Sequence, residues 1–153
     1  MTVAKPEMTT IEKKILIRAP RSRVWNALTT PEHFSKWFSA KFDGPFLPGR
    51  RVDMVSTHPA SSGDAKFCLT VERMEPEHTF SWSWHPGSAN KQDDGTTLVE
   101  FHLDEAPEGT LVTVKESGFD RVSLARRARA FEENTRGWDI QLESLSRYAS
   151  EAA

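Results

Sequence analysis

Two short helical segments follow each other directly, after a strand-like segment, in the first quarter of the chain. Pro20 suits the first turn of a helix that ends near Thr29. Thr30 then offers a hydroxyl cap, and Pro31 suits the first position of a second helix that ends by Phe38. A strand-rich middle and one long terminal helix follow this pair, and that order of elements is typical of folds that enclose a cavity.

Alternating apolar residues predict the strands of a single sheet. The first strand is predicted at residues 11–18, where isoleucines recur on one face. The separators between later strands are rich in Gly, Pro, Asn, Asp and Ser, which favour turns, so consecutive strands should pair antiparallel. The later strands are predicted at residues 51–57, 66–75, 79–85, 97–104 and 110–117. The residues predicted to face the apolar interior are Val52, Met54, Phe67, Leu69, Val71, Phe80, Trp82, Trp84, Val99, Phe101, Leu103, Val112 and Val114.

The last part of the chain predicts one long helix, over residues 122–150. Gly137 is its only glycine, and because glycine is a poor helix former, a kink or break is expected at residues 134–137. The apolar residues that should pack against the sheet recur at helical spacing. They are Trp138, Leu142, Leu145 and Ala149.

The two ends and one internal segment lie outside these regular elements. Residues 1–10 are predicted to be a flexible arm and residues 151–153 a tail, which leaves residues 11–150 as one domain. Residues 43–49 contain two glycines and two prolines, and these predict a loop that carries apolar side chains.

Composition and charge exclude several kinds of partner and site. The formal net charge of -2 gives no overall attraction to nucleic acid or to an anionic membrane. Cys68 is the only cysteine and the five histidines lack metal-ligand spacing, so we expect no internal disulfide, no zinc site and no cofactor. No long apolar run and no leader pattern is evident, which predicts a cytoplasmic protein without a membrane span.

Several short motifs, taken in order, resemble one family. They are Ala19-Pro20, Val24-Trp25-Asn26-Ala27-Leu28-Thr29, Pro31-Glu32, Trp37-Phe38, Pro48-Gly49-Arg50, Glu116-Ser117-Gly118-Phe119 and Gly137-Trp138. On these motifs the chain is similar, over about residues 11–148, to the activator of heat-shock protein 90 ATPase homologue 1-like family of the SRPBCC, or START-like, superfamily. The resemblance implies an α+β helix-grip fold, in which a curved antiparallel six-stranded sheet wraps around the long C-terminal helix and encloses an internal cavity. It also implies a role in the stress response, with a chaperone as one candidate partner.

The inner face of the sheet and the neighbouring loops supply candidates for a ligand site. Small-molecule cavities are mostly apolar, with a few polar groups that orient the ligand. We therefore expect a small hydrophobic or amphipathic molecule to bind there, unless these side chains simply fill the core. Phe42 and Phe46 are expected on loops near the mouth. The candidate ligand-binding residues are Phe42, Phe46, Met54, Trp82, Trp84, Phe101, Glu116, Phe131 and Trp138.

Glu116 is the candidate that offers the most chemistry. Extending the alternation of Val112 and Val114 places its carboxylate on the inner face, at the end of the last strand. A buried carboxylate must be paired, hydrogen-bonded or protonated. It could therefore hold the polar end of a ligand, act as a general acid or base, or accept a structural hydrogen bond from loop backbone or an arginine.

Three functions remain open from the sequence. The first is non-enzymatic binding of a small hydrophobic or amphipathic molecule. The second is a chaperone-interacting module, and the third is a cyclase-like or hydrolase-like cavity enzyme that uses Glu116 for proton transfer. No catalytic residue is assigned, because no group that could partner Glu116 in acid–base chemistry is evident, and the oligomeric state is left open.

Overall fold

The computed structural model describes residues 9–56, 66–85 and 95–151. These residues form an antiparallel sheet, two short helices and a long C-terminal helix preceded by a 3-10 turn at Phe119–Arg121. In chain order the elements are β1 (Thr10–Ile17), α1 (Arg21–Thr29), α2 (Pro31–Phe38), β2 (Ala40–Phe42), β3 (Arg51–Ser56), β4 (Lys66–Glu75), β5 (Thr79–Trp84), β6 (Thr97–Ala106), β7 (Gly109–Ser117) and α3 (Leu124–Glu151).

The sheet has the order β1-β7-β6-β5-β4-β3-β2, so strands β2 to β7 form a meander and β1 joins its far side. The pairing of β1 with β7 runs antiparallel from Thr10 opposite Ser117 to Ile17 opposite Thr110. The α+β helix-grip class is therefore confirmed, and the sheet has seven strands rather than the expected six.

The additional strand, β2, covers only Ala40–Phe42. It begins directly after Ser39, whose left-handed backbone (φ 58°) ends α2 and reverses the chain. Phe42 pairs with Met54 in β3, so the expectation that Phe42 lies on a loop was wrong. Three residues are too few to show the alternation on which the other strands were predicted.

Two other expectations about local structure need correction. Thr30 does precede α2, with Pro31 at the first helical position, but the Thr30 hydroxyl makes no capping hydrogen bond. The break expected at residues 134–137 does not occur, because α3 is helical throughout. The hydroxyl of Thr135 donates to the carbonyl oxygen of Phe131 at 2.7 Å, one turn back, which keeps that polar side chain within the helix.

The core lies between the inner face of the sheet and the three helices. The residues predicted to face inward are buried, except for Phe67 and Trp84, which are half-buried. From α3, Trp138, Leu142, Leu145 and Ala149 are buried against the sheet, as predicted. Burying each large apolar side chain contributes about 1.5–3 kcal/mol, so this shared interior stabilises the packing of α3 on the sheet.

The two short helices are tied to each other and to α3. Trp37 of α2 donates its indole N–H to the carbonyl oxygen of Ala27 in α1 at 2.8 Å. Ser144 of α3 donates its hydroxyl to the carbonyl oxygen of Trp37 at 2.7 Å. These bonds fix the position of Phe38, the last residue of α2, relative to α3.

Candidate functional site

Glu116 lies near the end of β7 and is completely buried, with its carboxylate surrounded by hydrogen-bond donors. Oε1 accepts from Nε1 of Trp138 at 2.8 Å and from Nδ2 of Asn134 at 3.0 Å. Oε2 accepts from Nε1 of Trp84 at 2.9 Å, from the hydroxyl of Thr97 at 2.5 Å and from Nδ2 of Asn134 at 3.1 Å. One carboxylate therefore joins β5, β6 and β7 to α3.

The strand register and the helical spacing bring these donors together. Trp84 and Thr97 lie directly opposite each other in β5 and β6, and Glu116 pairs with the residue two places beyond Thr97. Asn134 and Trp138 lie four residues apart on α3 and so share one face.

The chemistry of the donors defines what Glu116 does in the fold. An indole N–H can only donate, and a carboxylate offers about four lone-pair positions, which matches the four donor side chains that surround Glu116. Within the described ranges, no lysine, arginine or histidine forms an ion pair with Glu116. The partners are thus neutral side chains rather than the loop backbone or arginine considered from the sequence. These bonds offset the free-energy cost of burying the charge.

A pocket of about 110 Å³ lies beside this network, between α2, β5 and α3. The rings of Trp84 and Trp138 stack there, with centroids 6.2 Å apart and an interplanar angle of 27°. The pocket is lined by Phe38, Trp84, Asn134, Gly137, Trp138 and Gln141. The lining thus combines three aromatic rings with two neutral amides and contains no charged side chain.

A second group of predicted ligand residues lies deeper and fills space instead of lining this pocket. Phe46, Trp82 and Phe101 are all buried. Trp82 stacks on Phe101 with centroids 5.7 Å apart, and it meets the ring of Phe34 edge-on at 5.8 Å. Nε1 of Trp82 is buried and has no hydrogen-bond partner in the part of the chain that the structure describes. We call Phe34, Phe46, Phe80, Trp82 and Phe101 the aromatic cluster.

The remaining predicted ligand residues lie elsewhere. Met54 is buried where β3 pairs with β2, and Phe42 is half-buried with its ring 5.0 Å from that of Phe46. Phe131 lies about one turn before Asn134 on α3 and packs edge-on against Phe119, with centroids 5.2 Å apart. Of the nine predicted residues, the structure brings Trp84, Trp138 and Glu116 together around the pocket.

Sequence reasoning missed several residues of this site. Phe38, Asn134 and Gln141 line the pocket, and Thr97 donates to Glu116. The sequence spacing does indicate the two residues on α3. Asn134 lies four residues before Trp138 and Gln141 three residues after it, so both share its helix face. For Thr97 the signal lies in the strand register, which the sequence alone does not give.

The one cysteine of the chain lines a second groove, of about 260 Å³, which Trp84 also borders. Nε of Arg51 donates to Sγ of Cys68 at 2.6 Å. Burial raises the pKa of the Cys68 thiol, and this outweighs the lowering by Arg51. Because the thiolate is the reactive form, this cysteine is a poor nucleophile. Within the described ranges no cluster of His, Cys, Asp and Glu could hold a metal ion.

The comparisons with known proteins agree with this architecture. The family described as activator of Hsp90 ATPase homolog 1-like protein matches residues 18–150 of the chain. The chain belongs to this family. No curated relative matches the chain. Among the described helices, none has the length and apolar character needed to cross a bilayer.

Solved structures similar to this member of the Hsp90 ATPase activator homologue family share its fold. A protein from Mesorhizobium loti is 24% identical, with a TM-score of 0.77, over 94% of this chain and 98% of its own. A protein from Arthrobacter aurescens is 17% identical, with a TM-score of 0.78, over 99% of this chain and 92% of its own. The Aha1 dimer from Colwellia psychrerythraea is 18% identical, with a TM-score of 0.70, over 94% of this chain and 98% of its own. At these identities the likeness concerns the fold.

Proposed function

We propose that the protein binds a small hydrophobic or amphipathic molecule in the pocket between α2, β5 and α3. The main observation in support of this proposal is that hydrogen bonds hold two walls of the pocket in place. Trp84 and Trp138 line the pocket, and Glu116 fixes both indole rings from behind through their N–H groups. Walls that are rigid before the ligand arrives lower the entropic cost of binding.

The lining also determines how a ligand would be oriented. The rings of Phe38, Trp84 and Trp138 offer apolar contact, which supplies affinity when water leaves. Asn134 and Gln141 supply neutral amides that hydrogen-bond a polar atom of the ligand. At about 110 Å³ the pocket holds one ring or a short chain, since sites for larger ligands measure roughly 300–1,000 Å³. A larger molecule requires α2 and α3 to move apart.

A titration followed by NMR tests the proposal. The probes are indole, p-cresol, decanoate and decanol, added to uniformly ¹⁵N-labelled protein. We expect at least one probe to shift the indole N–H signals of Trp84 and Trp138 in a saturable way, while the signal of Trp25 stays in place. Trp25 is half-buried against Phe80 and does not line the pocket.

A pair of matched variants completes this test. Phe38→Leu removes a half-buried aromatic ring from the pocket, and we expect it to weaken binding of the active probe at least fivefold. Trp25→Leu removes a half-buried ring elsewhere and should leave affinity unchanged. If no probe shifts the two signals, or if both variants lose affinity equally, the proposal fails.

The family description favours a second candidate function, contact with a chaperone. The family is named for activation of the Hsp90 ATPase, and the solved Aha1 from Colwellia psychrerythraea aligns with nearly the whole chain. Mixing the protein with a bacterial Hsp90 and measuring ATP hydrolysis tests this candidate. Stimulation that persists in Phe38→Leu would support a contact outside the pocket, whereas the absence of stimulation and of complex formation would remove the candidate.

Proton transfer by Glu116 gains less support from the geometry. Both carboxylate oxygens already accept hydrogen bonds from Trp84, Thr97, Asn134 and Trp138. A substrate could exchange a proton with Glu116 only after one of these donors had moved away.

A further inference from the structure

Gly137 occupies the middle of α3, where two ordinary reasons for a glycine do not apply. Its φ lies outside the left-handed range that favours glycine. A Cβ built on it would meet no atom within 4 Å, so no neighbouring group needs the space. Within a helix, glycine is also among the poorest residues, because it loses the most backbone entropy on folding.

One feature of the surroundings does account for this glycine. Gly137 lines the pocket of about 110 Å³, next to Trp138 and one turn after Asn134. A side chain at this position would extend from the wall of the pocket into open space, because a Cβ built there meets no atom within 4 Å. Helix propensity alone favours alanine at this position, whereas glycine keeps this part of the pocket wall free of a side chain.

We propose that Gly137 is a ligand-contacting residue that leaves room on α3 for a neutral molecule carrying a single aromatic ring. This inference rests on the proposed function and names the class of ligand for the same site. The ring lies against the backbone of Gly137 and contacts Phe38, Trp84 and Trp138.

Size and charge together define this ligand class. A space of about 110 Å³ is close to that of the roughly 150 Å³ engineered apolar cavity that binds benzene. No charged side chain lines the pocket, and the carboxylate of Glu116 lies directly behind Trp84 and Trp138. An anionic ligand would thus approach a buried negative charge and meet no cation in the lining. A neutral ring with one polar group suits the amides of Asn134 and Gln141.

The decisive experiment compares glycine and alanine at two positions of α3 in the full chain. Gly137→Ala adds one methyl group inside the pocket, whereas Ala128→Gly makes the reverse change at an exposed position outside it. Thermal unfolding is measured without ligand, and the binding of indole and of indole-3-acetate is measured by calorimetry. Helix propensity alone predicts a rise of about 2–4 °C for Gly137→Ala and a fall of similar size for Ala128→Gly.

We expect Gly137→Ala to raise the melting temperature while weakening indole binding at least tenfold. Ala128→Gly should lower the melting temperature and leave indole binding unchanged. Indole-3-acetate should bind the unmodified protein at least tenfold more weakly than indole does.

Each contrary result has its own meaning. If Gly137→Ala lowers the melting temperature, the glycine has a structural role in the fold and the inference is overturned. If indole binds Gly137→Ala as tightly as it binds the unmodified protein, the inference is overturned while the proposed function stands. If indole-3-acetate binds as well as indole, the neutral class is wrong. If neither probe binds the unmodified protein, the single-ring class fails, and decanoate or decanol decides whether the proposed function survives.

Discussion

Two neighbouring groups of aromatic rings, which meet where Trp82 contacts Trp84 and Phe101 contacts Trp138, are held in different ways. In the aromatic cluster, Phe34, Trp82 and Phe101 are buried, and the ring of Trp82 contacts both phenylalanine rings. Around the pocket, Trp84 and Trp138 also stack, but both are held by hydrogen bonds to Glu116. Dispersion and apolar burial stabilise the first region, and directed polar bonds stabilise the second.

The difference explains where the space in this interior lies. Rings held by mutual contact have to touch, because each contact contributes only at short range. Rings anchored through their N–H groups keep their position without a neighbour on every side, so a pocket can remain beside Trp84 and Trp138. Trp82 shows the contrast, since its N–H is buried without a partner among the described residues and its position depends on packing.

Removing a ring from the aromatic cluster should have the largest effect. Phe34 is fully buried, so Phe34→Ala leaves a cavity and should lower the free energy of unfolding by about 3–5 kcal/mol. Phe38→Ala, beside the pocket, should cost only about 1–2 kcal/mol, because Phe38 is half-buried and already borders open space. Urea denaturation measures both. Equal losses would show that the pocket region is as tightly packed as the cluster.

Substituting the anchor itself should have the next largest effect. In Glu116→Gln, an amide nitrogen replaces one carboxylate oxygen and cannot accept a hydrogen bond. It therefore faces donors such as the indole N–H of Trp84, and at least two hydrogen bonds are lost. We expect unfolding free energy to fall by about 2–4 kcal/mol. Trp84 and Trp138 should also broaden or shift in the ¹H–¹⁵N spectrum.

Glu100→Gln is the control for this substitution. Glu100 lies on the opposite face of the sheet, and its carboxylate makes only a long contact of 3.9 Å with Nε2 of His102 among the described ion pairs. It should change stability by less than about 0.5 kcal/mol. A matching loss in the two variants would mean that the hydrogen bonds to Glu116 do not anchor the indoles.

The smallest effect is expected from the donor on α3. Asn134→Ala removes two of the contacts to Glu116 and should cost about 1 kcal/mol. Asn134→Asp should cost more at neutral pH, because it places a second carboxylate beside the first. Denaturation at pH 7 compares them, with the exposed Arg136→Ala as a control that should cost about 0–0.5 kcal/mol. If Asn134→Asp is as stable as Asn134→Ala, the carboxylate of Glu116 does not destabilise a second carboxylate at this position.

The fold was largely predictable from sequence because its signals are periodic. Alternation located β3 to β7 to within two residues at each described end, and the Pro20 and Pro31 positions located α1 and α2. β2 escaped because three residues cannot alternate, and its position depends on the turn at Ser39. The continuity of α3 through Gly137 was missed because packing on both sides outweighs the low helix propensity of one residue.

The site was predicted less completely, for a different physical reason. Burial of Glu116 followed from alternation, but its partners depend on which residues face each other across strands and on the rotation of α3. Trp84 and Trp138 were named as candidates for their apolar area, whereas their N–H groups hold the site together. Asn134 and Thr97 carry no pattern of their own, so only the three-dimensional register reveals them.

The pairing of β1 with β7 has a consequence for how the chain folds. β1 spans Thr10–Ile17, yet its partner strand spans Gly109–Ser117 and is synthesised much later. Pairs so far apart in sequence form late, because closing a long loop costs entropy before the contacts repay it. Until then Ile11 and Ile17, which are buried in the native state, remain exposed together with the free edge of β7. The chain is therefore most prone to aggregation before β1 has paired with β7.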